Sequence, residues 1–159
     1  MPYAENTKVA PERSRAEIEQ TLNRYGAEAF SYGYEGDRAI VAFRAHGRFV
    51  RFEIHTPPLD GFIRTKSRQV RTPVQRRAAQ EQAVRQRWRA LLLVVKAKLE
   101  SVESGIETFE EAFLAHILLP DSTTVGQYLT PQLEQAYETG NMPSLLPAVA
   151  QLLPGGDDA

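Results

Sequence analysis

The chain has 159 residues, no cysteine, 42% hydrophobic and 25% charged residues, the size and make-up of one globular domain. That composition excludes a disulfide framework, a thiolate metal site and compositional disorder, and the longest apolar run, Ala90 to Val95, is far short of the roughly 20 residues that cross a bilayer. A formal net charge of −1 hides a segregation: Arg38 to Lys98 holds 15 Lys or Arg against three acids (+12), Leu99 to Ala159 holds ten acids and no base (−10), and the first 37 residues hold four bases against seven acids (−3).

Residues 1–13 read as a flexible leader without an apolar core, which argues against a signal peptide. Ser14 and Glu17 then have the spacing of a capping box, opening a helix with Ile18, Leu22 and Tyr25 on one face and Gly26 at its end. Phe30, Tyr32 and Tyr34 alternate in a first strand, Glu35-Gly36-Asp37 turns the chain, and Arg38 to Ala45 forms a second strand. His46-Gly47 turns it again into Arg48 to His55, where Val50, Phe52 and Ile54 share one face and Phe49, Arg51, Glu53 and His55 the other.

Thr56-Pro57-Pro58 stops this antiparallel meander, and Leu59 to Thr72 has no clear period and reads as a loop. Thr72 with Pro73 starts a long helix ending near Ser104 and Gly105, with Val84, Trp88, Leu91, Val95, Leu99 and Val102 as its buried stripe. Thr108 and Glu111 cap a shorter helix carrying Phe109, Phe113 and Ile117, ended by Pro120-Asp121. Thr124 caps a further helical segment, restarted at Pro131 and closed by Gly140, before an apolar stretch from Leu145 to Leu153 and a disordered tail, 154–159. The expectation is one α+β domain over 14–153, with a sheet part at 27–56 and a helical part at 72–153.

Catalytic signatures are missing. His46, His55 and His116 are the only histidines and none has a second strong ligand at helical spacing, so no metal or cofactor is expected. No Gly-x-Ser-x-Gly or Gly-Lys-Ser/Thr occurs, and Gly33 with Gly36 belongs to a hairpin. Glu110 and Glu111 lie in a helical first turn, where carboxylates favour the macrodipole without doing chemistry.

Binding is the better lead. Arginine dominates the basic block, which suits bidentate phosphate recognition. The phosphate ligands expected are Arg48, Arg51, Arg64, Arg68, Arg71, Arg85 and Arg89, with Tyr32, Tyr34 and Phe49 as an aromatic platform for bases. The competing reading is that the basic and acidic blocks face each other within the fold or across a homo-oligomer.

Tyr25-Gly26 through Arg48-Phe49-Val50-Arg51-Phe52, then Arg87-Trp88-Arg89-Ala90-Leu91, Gly105-Ile106-Glu107-Thr108-Phe109-Glu110-Glu111, Leu119-Pro120-Asp121 and Thr124-Val125-Gly126 resemble a family of small phage and prophage proteins of unknown activity, over about Ser14 to Pro147. The resemblance implies the cytoplasm of a bacterial host and two settings. One is DNA handling by a protein that binds nucleic acid without catalysis. The other is anti-defence, in which a nucleotide messenger is sequestered or a host protein is blocked by Glu103, Glu107, Glu110 and Glu111 imitating a phosphate backbone. The order of helix, three strands and long basic helix is loosely similar to single-strand-annealing recombinase cores. It is also similar to double-stranded-RNA-binding domains, whose Lys-Lys pair at the second helix is missing here.

Overall fold

The computed structural model describes residues 2–142; the apolar stretch at Leu145–Leu153 and the tail at 154–159 lie outside the described residues. The architecture is α+β: α1 (Pro11–Arg24), β1 (Ala29–Glu35), β2 (Arg38–Ala45), β3 (Arg48–His55), α2 (Pro73–Glu103), α3 (Phe109–Phe113) and α4 (Val125–Thr139), with short 3-10 turns at Leu59–Phe62 and Leu114–His116.

The sheet is an antiparallel meander in the order β1-β2-β3. Both hairpins have two-residue loops, and His46 and Gly47 both take positive φ, 51° and 71°, the backbone that a tight right-twisted hairpin requires. Those loops set the register, pairing Tyr32 with Val41 and Val41 with Phe52, so Phe30, Tyr32 and Tyr34 lie on the core face. The opposite face carries Arg38, Arg44, Phe49, Arg51, Glu53 and His55.

One cluster forms the core: Ile18 and Leu22 of α1, Val41, Phe43, Val50, Phe52 and Ile54 of the sheet, Trp88, Leu91, Leu92, Val95 and Leu99 of α2, and Phe109 and Phe113 of α3. Sheet and helices each hide one apolar face against the other. Trp88, 1% exposed, is the largest fully buried side chain. Phe113 presents its ring edge-on to Phe43 and Phe52, with centroids 5.6 and 6.4 Å away.

Several sequence expectations are corrected. Ser14 does not cap α1, which begins three residues earlier with Pro11 in its first turn, because the ring's fixed φ suits that position. Ser14 is instead buried inside the helix. Ile117 is not helical: it bridges to Val50, and the Leu118 N–H donates to Phe49 O at 2.8 Å, so the outer edge of β3 captures this segment in extended form. Pro131 does not restart a helix, since α4 runs through it. On either side of Gln127, whose carbonyl loses its donor to the proline, the Thr130 hydroxyl donates to Gly126 O at 2.7 Å and the Gln132 amide to Tyr128 O at 3.1 Å.

Residues 59–72 are more than a loop. After the 3-10 turn, Arg71 N–H donates to Ile63 O and Thr65 N–H to Gln69 O, both at 2.8 Å, and Arg64 bridges to Val70. This makes a small hairpin with Lys66, Ser67 and Arg68 at its tip. The segment before α1 is also anchored, because Gln82 Nε2 donates to Glu5 O (3.0 Å) and Thr7 O (2.8 Å), and Gln86 Nε2 to Tyr3 O (3.2 Å).

Candidate phosphate-binding surface

The seven arginines do not form one surface. Arg51 is held at both terminal nitrogens, Nη1 donating to Ser122 O at 3.0 Å and Nη2 to Gln127 Oε1 at 3.2 Å, while its Nε lies 3.3 Å from Glu53 Oε1 without a well-aligned hydrogen bond. It joins β3 to the start of α4. Arg89 Nη1 sits 3.1 Å from Glu17 Oε1, between α2 and α1, and Arg48 faces Glu110 of α3 at 3.6 Å. Arg85 gives two of its donors to Gln82 Oε1, at 2.7 and 3.2 Å. Arg51 and Arg89 thus hold elements together, whereas Arg85 bonds within its own helix and Arg48 keeps about half of its side chain exposed.

The remaining three sit on the hairpin. Arg71 is locked by its own chain, its Nη1 donating to Arg64 O (2.6 Å) and Phe62 O (3.3 Å). Among the described residues its other nitrogens make no hydrogen bond. Arg64 Nη1 donates to Arg68 O at 3.1 Å, steadying the tip. Arg68 is exposed, makes no side-chain bond among the described residues, and has φ +65°. A non-glycine residue in that left-handed region costs about 1 kcal/mol or more, a strain that tends to collect at functional turns. Next to the hairpin, Arg76 Nε donates to Arg71 O at 3.2 Å and Arg77 is exposed in the next position of α2.

Among the described residues, Arg64, Arg68, Arg71, Arg76 and Arg77 have no carboxylate within ion-pair distance, whereas Lys66 pairs with Glu5 at 2.5 Å. Elsewhere the basic block meets acids mostly from the N-terminal half: Arg38 pairs with Glu35 and Glu53, Arg44 with Glu28, and Arg89 with Glu17. Arg48–Glu110 is the one ion pair among the described residues joining the basic block to the acidic last third. The charge segregation therefore survives folding. It follows α2, which has no acidic residue in its first turn and no basic one in its last. Arg76 and Arg77 near one end and Glu100 and Glu103 near the other oppose the macrodipole preference, at a cost of about 0.3–1 kcal/mol per badly placed charge.

The aromatic platform is split. Tyr32 and Tyr34 stand on the core side of edge strand β1, where Arg15 lies over the Tyr32 ring at 3.8 Å. Phe49, 54% exposed, stands on the other side of the sheet with Arg44 over it at 5.7 Å. The three rings cannot receive consecutive bases together.

His46 stacks on Phe109 at 4.6 Å and His116 on Phe52 at 4.0 Å. Burial, and then the charge of Lys98, push the His116 pKa below the ordinary histidine value. Among the described residues no three His, Asp or Glu side chains converge as a metal cluster, and no helix is long and apolar enough to cross a membrane. The Lys98 ammonium is occupied by Ala112 O.

Sequence reading missed the contribution of residues 3–7. They carry no apolar period, and what attaches them is backbone carbonyls accepting from Gln82 and Gln86, a contact that no local pattern announces. Compared with known proteins, the chain matches no family model, and no curated protein or solved structure is significantly similar to it.

Proposed function

We propose that this protein acts by binding nucleic acid without catalysis, gripping the phosphate backbone with the hairpin at 63–71 and the first turns of α2. The observation that carries this reading is the run of Arg64, Arg68, Arg71, Arg76 and Arg77 without carboxylate partners among the described residues, while the sheet arginines Arg38, Arg44, Arg48 and Arg51 are paired. Cations that no internal acid neutralises release counterions when they meet phosphate, which supplies affinity without sequence preference. Their placement on a hydrogen-bonded hairpin and the adjoining first turns of α2 limits the entropy lost on binding. A role in handling phage DNA within a bacterial host cell is part of the same proposal.

The alternative of acidic mimicry by Glu103, Glu107, Glu110 and Glu111 is less well supported, because three of these four have local tasks. Glu111 bonds the Thr108 N–H at 2.7 Å, Glu107 accepts from Ser101 at 2.6 Å, and Glu110 faces Arg48.

The test is fluorescence anisotropy with a labelled single strand and its duplex between about 50 and 200 mM salt. Wild-type affinity should fall steeply across that range. Changing Arg64 and Arg68 together to Gln should weaken binding roughly tenfold and lower the single-strand salt slope by about 1.4, or about 0.7 per lost contact. Arg51→Gln should leave the slope unchanged. Absence of binding to either form at the lowest salt would overturn the proposal.

A further inference from the structure

Between the hairpin, the anchored segment at 3–7 and the outer face of α2 lies a groove of about 350 Å³. That volume is near the lower end of small-ligand pockets, roughly 300 to 1,000 Å³, enough for one nucleotide. We infer that this groove takes a single nucleoside monophosphate unit, held at its phosphate by Arg71 and Lys66 and at its base by Phe62, Asn6 and Gln86. The inference rests on the nucleic-acid reading above and adds a second mode of contact to it.

The phosphate and the base of a nucleotide each have counterparts in the groove. Arg71 is pre-oriented, since two backbone carbonyls hold one end of its guanidinium while its other nitrogens make no bond among the described residues, so little side-chain entropy is lost on meeting phosphate. Lys66 adds a second cation at the rim, its ammonium 2.5 Å from Glu5 Oε1 and so shared between that carboxylate and an incoming phosphate. Phe62, half-buried, offers an aromatic surface of the kind on which bases of any sequence stack. Asn6 is exposed with no side-chain bond among the described residues, and Gln86 spends its Nε2 on Tyr3 O, leaving its carbonyl oxygen as an acceptor for a base edge. Glu5 meets Lys66 through Oε1 at 2.5 Å, and its Oε2 is buried without a hydrogen-bond partner among the described residues. A bare anion would need only the two cations.

The groove differs from the hairpin tip in one testable respect: it should bind mononucleotides, which the tip alone is too sparse to hold. Calorimetric titration with AMP, CMP, GMP and UMP, with inorganic phosphate as control, reads this directly. The expected result is saturable mononucleotide binding, with phosphate a much weaker competitor. Asn6→Ala, at an exposed position, and Phe62→Leu should each weaken that binding about tenfold, whereas Arg68→Gln should leave it unchanged and weaken only the oligonucleotide. Oligonucleotide binding without mononucleotide binding, indifference to Asn6→Ala and Phe62→Leu, or equal competition by inorganic phosphate would overturn this inference and leave the nucleic-acid reading intact. Mononucleotide binding without oligonucleotide binding would support the groove and overturn the polymer reading. Binding of neither would sink both.

Discussion

Arg89 Nη1 of α2 lies 3.1 Å from Glu17 Oε1 of α1, with both side chains less than a third exposed. The pair sits where α1 packs on α2, and Arg13 approaches the same Glu17 oxygen at 3.4 Å. Removing one partner leaves the other partly desolvated without its counter-charge. Arg89→Ala should therefore lower unfolding free energy by about 1–3 kcal/mol in a urea titration, and the Glu17→Ala/Arg89→Ala double variant should cost less than the sum of the single changes. Nucleic-acid affinity should not change. A stability-neutral Arg89→Ala with weakened binding would return this residue to the ligand surface.

Trp88 is fully enclosed although Arg87 and Arg89 flank it in sequence. Trp88→Ala opens a cavity among Leu91, Leu92 and the sheet and should cost about 3–5 kcal/mol. As the single tryptophan of the chain, it also reports on ligand contact. Its emission should be blue-shifted, resistant to iodide, and unmoved by saturating oligonucleotide; strong quenching by the ligand would mean that a base stacks on it.

Gly126, in the first turn of α4, tests how closely that helix approaches the preceding 3-10 turn. A Cβ there would lie 2.8 Å from Ala115 O, a backbone atom that cannot swing aside. Gly126→Ala should therefore destabilise by about 1–3 kcal/mol despite alanine's better helix propensity. Stability equal to wild type would show that α4 can shift away at no cost.

His116 supplies a pH dependence. Burial against Phe52, reinforced by Lys98, lowers its folded pKa, while a hydrogen bond to the Arg51 backbone opposes the shift only in part. The unfolded chain then takes up a proton near the ordinary value of 6.5 while the folded protein resists it, so stability is unaffected above that pH and declines as pH falls through it. Melting temperatures between about pH 7.5 and 5 should show this decline, and His116→Gln should flatten it. An unchanged slope in the variant would assign the decline to other groups.

Local physics made much of the fold legible before any tertiary contact was known. Thr72, Thr108 and Thr124 each accept from the backbone three residues on and are answered by Gln75, Glu111 and Gln127, a pattern that closes within four residues. Gly140, at φ +70°, ends α4 for an equally local reason. Alternation also identified Val50, Phe52 and Ile54 as an inward face of β3.

The candidate site was a different matter. Composition placed the cations in one block, but a guanidinium on a long stem is satisfied by whichever oxygen the fold brings near, and that partner is distant in sequence. Arg51 found Ser122 and Gln127, and Arg89 found Glu17. The aromatic platform failed similarly: period two told which residues of one strand share a face, and only the hairpin register decided that Tyr32 and Tyr34 would share theirs with Phe52 and not with Phe49. Elements are set by neighbours along the chain, whereas a binding surface depends on which charges remain after the distant neighbours have met.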